Sequence, residues 1–503
     1  MLFRQGSPPR ATYLFKHALV QDAAYGTLLR EARRALHARI AQTLESQFSE
    51  IAENQPELLA RHYTEAALIE KAAALWCKAG RQSLSRSAFV EAVAHFTRGI
   101  SQLEILQVTM PLIGERIEAQ INLGNALIDV KGHAAPETKA AFRRAHDLMK
   151  QSEELGESFD DSQLRLRVLN GLFLNAYVAF DGDLMHEIAA ETLTLAEKQG
   201  TAKSLLMAHG IIGWTLVLTG NAAEGRARID HALALCNPPN HFRTGPTDAR
   251  ATRLSTRAMA LWLLGYPAAA QADVDQAIAR AREIGEAGTL MLALGISNYT
   301  QILGRNAAGA GAFSDELAAL ADEKSASLRK AEAVFQRGCA LALSGRFAEA
   351  VQAIATGVMA WRSTGSTCWT PLHMSFLANV HARLGEFGDA RRCIAEALRA
   401  SEASKETWFD AEIHRISGEI ALSGELDKAK AEACFERALA VARQQQAKSF
   451  ELRAATSMAR LLRDRGKRNE ARDLLTPIYG WFTEGFDTLD LKEAKALLDE
   501  LHA

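Results

Sequence analysis

A glycine recurs at nearly constant spacing through most of this 503-residue chain. Successive members of the series are 38, 45, 39, 41, 40, 39 and 42 residues apart, and each ends a stretch of helical character. The glycines are Gly182, Gly220, Gly265, Gly304, Gly345, Gly385, Gly424 and Gly466. A small residue usually stands five positions later: Gly225, Ala270, Gly309, Ala350, Ala390, Ala429 and Ala471. A period of this length is typical of repeat proteins.

The backbone chemistry of glycine explains how this spacing builds a fold. A helix ends readily on a residue that adopts a positive φ, which glycine does without steric cost. A short turn then starts a second helix, and a small residue in its first turn lets the two helices approach closely. The resulting hairpin of about 40 residues must stack on its neighbours to bury its apolar face. The sequence therefore predicts an all-α solenoid of about ten helical hairpins.

The step from Gly385 to Ala390 resembles the tetratricopeptide repeat, although that repeat has a period of 34 residues. The longer period here implies longer helices or longer links between hairpins. Weaker copies occur earlier, at Ser87–Phe96 and around Leu123–Leu127. We therefore expect degenerate helical repeats over residues 46–165 and regular tetratricopeptide-like repeats over residues 166–503.

Charge and composition bound the partners and the compartment. The net charge is −2 and the pI is near 6.7, so no electrostatic reason favours nucleic acid or an anionic membrane as a partner. No apolar run approaches the ~18 residues of a membrane span. The six cysteines are scattered and form no C-x-x-C pair, which fits a reducing cytosol. We expect a soluble, cytoplasmic protein.

The sequence lacks the common motifs that carry catalytic chemistry. It contains no G-x-x-x-x-G-K-[ST] phosphate loop, no H-E-x-x-H zinc motif and no G-x-S-x-G nucleophile elbow. The glycine-rich run Gly304–Gly311 lacks the Lys-Ser/Thr pair and falls where the repeat needs a turn. His373 and His381 lie two helical turns apart, about 12 Å, which is too far to share a metal ion. We therefore expect no catalytic site, cofactor or metal in these residues.

Candidate ligand contacts come from the first helices of the hairpins, which line the concave groove in tetratricopeptide-like arrays. Trp214 and Trp262 precede their turn glycines in adjacent first helices. Either residue could anchor a peptide or pack between hairpins, and the sequence leaves both roles open. Alignment on the turn glycines adds four candidate groove residues: Asn298, Asn379, His414 and Arg460.

Both ends of the chain resemble one family of large bacterial regulators. Residues 13–29, YLFKHALVQDAAYGTLL, resemble the segment that joins a winged-helix region to repeats in regulators with an AAA-like signal-transduction ATPase. Residues 471–501 resemble the far end of the same proteins, which often carry a class III nucleotide cyclase. The resemblance implies that residues 1–45 are a remnant of the winged-helix and linker region with capping helices. In that case Leu14, Leu19 and Leu28 are expected to be exposed.

These observations favour a non-catalytic regulatory module that binds a protein or peptide in its concave groove. By resemblance, its partners could include its own upstream ATPase or cyclase modules. Two alternatives stay open at this point. One is a small-molecule-sensing solenoid of a transcription regulator, with a pocket near Trp214 and Trp262. The other is the C-terminal part of a nucleotide cyclase whose catalytic modules lie upstream.

Overall fold

The computed structural model describes residues 2–5, 12–15, 23, 25–86, 88–107, 109–154, 162–236, 243–244 and 247–502. The chain forms two compact units, Met1–Gly171 and Leu172–Ala503. The boundary falls close to residue 166, where the sequence predicts the regular repeats to begin. The predicted limits at residues 45 and 165 remain predictions.

The first unit consists mainly of helices. Two short antiparallel strands come first, β1 (Leu2–Gln5) and β2 (Thr12–Phe15), with Leu2 opposite Phe15. The helices that follow are α1 (Arg30–Gln47), α2 (Ser49–Asn54), α3 (Pro56–Glu65), α4 (Ile69–Ser85), α5 (Phe89–Leu103), α6 (Met110–Lys131) and α7 (Pro136–Glu154). Helix α8 (Ser162–Val178) begins in this unit and ends in the second.

The residues expected to be exposed near the N-terminus are only partly described. Leu28 is half-buried, whereas Leu19 and the side chain of Leu14 lie outside the described residues. The sequence predicts helices over residues 13–45, but the start of this range belongs to strand β2 instead.

The second unit continues with paired helices. They are α9 (Gly182–Gln199), α10 (Ala202–Leu218), α11 (Ala222–Leu235), α12 (Ala249–Leu263), α13 (Pro267–Ile284), α14 (Ala287–Leu303), α15 (Ala307–Glu323), α16 (Ser327–Leu343), α17 (Phe347–Ser363), α18 (Thr370–Arg383), α19 (Phe387–Ser404), α20 (Asp410–Ile420), α21 (Lys428–Gln444), α22 (Lys448–Arg463), α23 (Arg468–Tyr479) and α24 (Leu489–His502). A two-residue strand pair, β3 (Arg243–Thr244) and β4 (Thr247–Asp248), precedes α12.

The predicted fold class is confirmed. Within the described residues, α4 to α23 form ten consecutive helical hairpins, and α24 follows the last of them. The chain is a tetratricopeptide-like α-solenoid in fold. None of the described helices combines the length and hydropathy needed to cross a membrane.

The predicted role of the glycines is confirmed at five turns. Gly220, Gly265, Gly345, Gly385 and Gly466 each have a φ between +79° and +90° and stand immediately before the N-cap residue of the second helix. The small residue five positions later is buried at each of these hairpins, because it faces the first helix.

The prediction is wrong at the other three glycines, where the turn is shifted along the chain. The positive φ belongs to Phe180, Arg305 and Leu426 instead. After Arg305 and Leu426, the buried small residue shifts too, from Gly309 to Ala310 and from Ala429 to Ala431. Gly182 begins its helix rather than ending one, and a Cβ there would lie 2.9 Å from the backbone oxygen of Ser404.

Residues about 187 positions apart are hydrogen-bonded within the second unit. The Thr367 hydroxyl donates to the Ala179 carbonyl, 188 residues away, and the Thr407 hydroxyl donates to the Thr219 carbonyl at 2.9 Å, also 188 residues away. The Ser449 hydroxyl donates to the Trp262 carbonyl across 187 residues. The acceptors lie at the ends of α8, α10 and α12, where helix carbonyls lack intrahelical partners. Residues in, or just after, the loops between later hairpins thus bond to the ends of the first helices of earlier hairpins, and successive turns of the coil are bonded together.

Candidate functional site: the arginine cavity

A cavity of about 610 Å³ lies inside the second unit. The first helices of the last hairpins, α18, α20 and α22, contribute most of its wall, and the start of α24, the ends of α14 and α16 and the start of α17 also line it. We call it the arginine cavity because five guanidinium groups line it: Arg305, Arg383, Arg415, Arg453 and Arg460. Its apolar wall includes Leu343, Phe376, Phe409, Ile416 and Leu452.

Four carboxylates line the same cavity and hold most of the arginines: Glu412, Glu419, Asp490 and Glu493. Arg415 binds both carboxylate oxygens of Glu412, at 2.7 and 2.9 Å, in a bidentate pair. Burial opposes the ionisation of Glu412, but Arg415 and Arg453 outweigh this cost and lower its pKa. This pair therefore holds two opposite charges at a fixed position in the cavity wall.

Helix α20 is short, but several of its residues line the cavity. Its Glu412, Arg415 and Ile416 face the cavity, and a π-helical segment, Ala421–Glu425, continues it past Ile420. Ser423 of that segment also lines the cavity. A π-helical turn re-aims the side chains that follow it, and such turns are frequent at functional sites.

Two lining residues of α18 present polar groups to the cavity without an internal ionic partner. Asn379 and Arg383 are one helical turn apart and exposed. Among the described residues no carboxylate pairs with Arg383, whose guanidinium lies 5.4 Å from the ring centre of Phe347. Hydrogen-bonding capacity is therefore available on this side of the cavity.

Two of the six candidate groove residues from the sequence, Asn379 and Arg460, line the arginine cavity. Arg460 donates to Glu493 at 3.0 Å. His414 lies on α20 but is half-buried outside the lining, where burial and then Arg437 lower its pKa. Their role in ligand binding remains a prediction.

The other three candidates are buried in packed interior. Trp214 is 5% exposed and packs against Tyr177 and Trp369. Trp262 is 3% exposed and packs edge-on against Phe450. The Asn298 amide donates to the Ala310 carbonyl, the Ser314 hydroxyl and the Gln336 side chain, and so connects three helices. The burial of both tryptophans follows from the bonded turns of the coil, which fill its interior here.

Sequence reasoning missed the charged half of the cavity. Arg305, Arg453 and Asp490 meet although they are up to 185 residues apart. No local pattern marks them, because the pairing depends on how many hairpins make one turn of the coil.

A buried carboxylate lies in the packed interior behind the cavity. Glu406 is 1% exposed and accepts hydrogen bonds from the Trp369 backbone N–H at 2.9 and 3.0 Å. Burial raises its pKa well above the usual range, more than the bonds from Trp408 and Trp369 lower it. Trp369 has a φ of +67° and stacks on Tyr299 at 4.2 Å. The carboxyl of Glu406 therefore holds Trp369, whose backbone is strained, in place between two hairpins.

One group with metal-ligand chemistry occurs among the described residues. His381, Glu386 and Asp389 place one ligand atom each within 4.8 Å of one another at the α18–α19 turn. His381 and Glu386 already contact each other, and Asp389 is paired with Arg392. Both carboxylates thus already have a partner, and the cluster resembles ordinary surface pairing.

Known proteins resemble the chain in sequence and in fold. No protein-family model matches it. An uncharacterised protein of Rhizobium meliloti (strain 1021) is 24% identical over 460 residues, which is 90% of this chain and 44% of that protein. The chain therefore spans less than half the length of this relative.

Two solved structures show how far the fold is shared. A Rap protein complexed with the competence and sporulation factor superposes with a TM-score of 0.51 at 13% identity, over 77% of this chain and 99% of its own. The Cut9–Hcn1 hetero-tetramer of the APC/C gives a TM-score of 0.49 at 13% identity, over 97% and 95% of the two chains. At this identity, the likeness to the Rap protein concerns the fold alone.

Proposed function

We propose that the chain is a non-catalytic regulatory module that binds a protein or peptide in the arginine cavity. The observation that carries this proposal is the pairing of an apolar wall with unpartnered polar groups at Asn379 and Arg383 in one cavity. An apolar surface supplies affinity, and a few placed polar groups supply orientation. The Rap protein of similar fold is complexed with the competence and sporulation factor, which supports ligand binding by a chain of this fold.

We further propose that this module serves an ATPase- or cyclase-linked signalling protein of the cytoplasm. The resemblance of residues 13–29 and 471–501 to such regulators supports this link. The relative from Rhizobium meliloti has more than half its length outside the matched region, which leaves room for further modules in that protein. All six cysteines are free in the described structure, as a reducing compartment requires.

A random-peptide selection on the full chain tests the binding proposal. Peptides recovered in the selection are measured by fluorescence anisotropy against the wild type and single variants. Asn379→Ala and Arg460→Ala are expected to weaken binding about tenfold, because each removes a hydrogen bond worth roughly 1.5 kcal/mol. Arg399→Ala is the matched control, since Arg399 is exposed on α19 outside the cavity. Peptides that bind all variants equally would place the ligand elsewhere.

A further inference from the structure

The first turn of α24 places two carboxylates into a set of arginines from other hairpins. Asp490 accepts from Arg305 at 3.2 Å and from Arg453 at 2.8 Å. Glu493, one turn later, accepts from Arg305 at 2.7 Å and from Arg460 at 3.0 Å. Leu489 precedes them at the edge of the cavity and is 45% exposed. This turn therefore presents an apolar residue, an Asp and a Glu to the arginine cavity.

The ion pairs of Glu493 are accessible from the cavity. The side chains of Arg460 and Glu493 are 42% and 37% exposed, and Arg305 is 35% exposed, whereas Asp490 and Arg453 are 15% and 12% exposed. Burial alone would raise the pKa of Glu493, but the bonds to Arg460 and Arg305 lower it. Solvent reaches this part of the network, so another carboxylate can compete for Arg305 and Arg460.

Helix α24 is anchored by apolar contacts that do not involve these ion pairs. Leu491 of the first turn and Leu497, Leu498 and Leu501 further along are buried in the terminal hydrophobic core. Before the helix, the Glu484 carboxylate accepts from the backbone N–H groups of Ala268 and Ala269 at the start of α13, both at 3.0 Å. The carboxylates of the first turn can therefore leave the arginines without unfolding the helix.

The formal charge of the cavity lining indicates which class of ligand can replace the carboxylates of Asp490 and Glu493. Five arginines and four carboxylates give the lining a formal charge of +1. Withdrawal of Asp490 and Glu493 leaves five arginines against two carboxylates, a formal charge of +3. A site of that charge, with an apolar wall beside it, favours an acidic ligand that also carries an apolar side chain.

We propose that the arginine cavity is a binding site for an acidic peptide and that the first turn of α24 occupies this site. A partner peptide competes with that turn for the arginines. The partner segment presents an apolar residue followed by one carboxylate and, one helical turn later, a second. This is the pattern of Leu489, Asp490 and Glu493. The inference rests on the proposed function and adds the chemistry of the partner and its competition with the chain's own helix.

The test uses a fluorescein-labelled peptide of residues 486–496 of this chain as the acidic probe, with the full chain as receptor. The Asp490→Asn/Glu493→Gln double variant is expected to bind the probe at least about tenfold more tightly than the wild type, because its arginines are free. The gain should shrink as salt rises, since partly exposed charges are screened. Adding Arg460→Ala to the double variant should remove most of the gain.

Matched controls separate this effect from a general change in charge. The Asp499→Asn/Glu500→Gln variant also removes two negative charges from α24, but at its other end, outside the cavity. It should bind the probe as the wild type does. A probe that itself carries D490N and E493Q should bind neither protein tightly. Thermal unfolding checks that each variant is folded, and Glu493→Gln alone serves if the double variant is not.

Three results would overturn the inference. They are no gain in the folded double variant, equal gain for the amide probe, or dimers of the double variant that exclude the probe by exchanging α24. If random peptides bind the cavity but are not acidic, the proposed function stands and this inference fails. If no peptide binds the cavity, the proposed function fails as well.

Discussion

One residue in each hairpin of the second unit carries an unusual backbone conformation. It stands immediately before the N-cap of the second helix and has a positive φ. At five turns it is glycine, but Phe180, Arg305 and Leu426 hold the same conformation with a Cβ. A left-handed conformation costs an ordinary residue about 1 kcal/mol. Arg305 uses this conformation to reach Asp490 and Glu493, whereas Leu426 is 81% exposed.

Leu426→Gly should therefore stabilise the protein. The substitution relieves a strained φ of +53° and removes little packing, so we expect a gain of roughly 0.5–1 kcal/mol in the free energy of unfolding. Chemical denaturation measures it. Gly385→Ala is the opposite control, because a Cβ there meets no atom within 4 Å and adds only the strain of a φ of +79°. A loss of stability in Leu426→Gly would show that its side chain has a packing role.

The same residues show how far the sequence could predict this fold. Glycine spacing predicts helices and turns because the need for a positive φ is local. It does not predict the exact register, since Arg305 and Leu426 can take that conformation one or two residues past the glycine. The one-residue shift at Gly304 then moves the buried contact from Gly309 to Ala310. The glycine series therefore locates each hairpin to within about two residues.

At the scale of single elements, helix α18 has two different faces. One face lines the cavity, and the other packs against neighbouring helices. Asn379 and Arg383 face the cavity, whereas His373 is buried between neighbouring hairpin helices. The His373 ring lies 4.0 Å from Phe335 of α16 and 5.6 Å from Trp361 of α17, centre to centre. Burial, and then Arg362, lower its pKa from 6.5 to about 3. The ring must stay neutral for these three helices to pack.

This neutral histidine predicts acid sensitivity. Its folded pKa is depressed below the unfolded value, so its contribution to stability is present above pH 6.5 and is lost as pH falls toward 3. Between pH 7.5 and pH 5 the protein should lose roughly 2 kcal/mol through this residue, at 1.36 kcal/mol per pKa unit. Unfolding curves at both pH values should show a smaller loss in His373→Leu. The same substitution at exposed His502 should leave the pH dependence unchanged.

The cavity was only partly predictable at this scale. The assignment of first helices to an inner face led to Asn379 and Arg460, which line the cavity, because both follow from the hairpin register. Their role in ligand binding stays a prediction. The assignment could not separate them from Trp214 and Trp262, which lie on equivalent helices but are covered by residues one turn later. Trp369 covers Trp214, and Phe450 covers Trp262. That contact depends on the pitch of the coil, which no single hairpin encodes.

At the scale of the second unit, the bonds between successive turns set its mechanical behaviour. In an open solenoid each repeat contacts only its neighbours, so repeats can unfold one after another. Here Thr407, in a later loop, and Ser449, at the start of α22, bond to helix ends 188 and 187 residues earlier. We therefore expect the second unit to unfold cooperatively, with slow hydrogen exchange at the ends of α10 and α12.

The Thr407→Val/Ser449→Ala variant tests this expectation. It removes two bonds between turns, each worth roughly 1 kcal/mol, and should broaden the unfolding transition and speed exchange in α10 and α12. Thr194→Val/Ser363→Ala is the matched control, because its hydroxyls bond only within their own helices. Equal effects of the two double variants would argue that the turns unfold independently.

The nearly constant sequence separation between the bonded segments also limits how such a chain can evolve. Repeat families usually change length by gaining or losing whole copies of the repeat. In the second unit, a hairpin inserted between residues 262 and 367 would misalign all three bonded pairs, Ala179–Thr367, Thr219–Thr407 and Trp262–Ser449. Duplication and deletion of hairpins are thus restricted to its ends. Homologues should vary in the composition of their hairpins while keeping the number per turn.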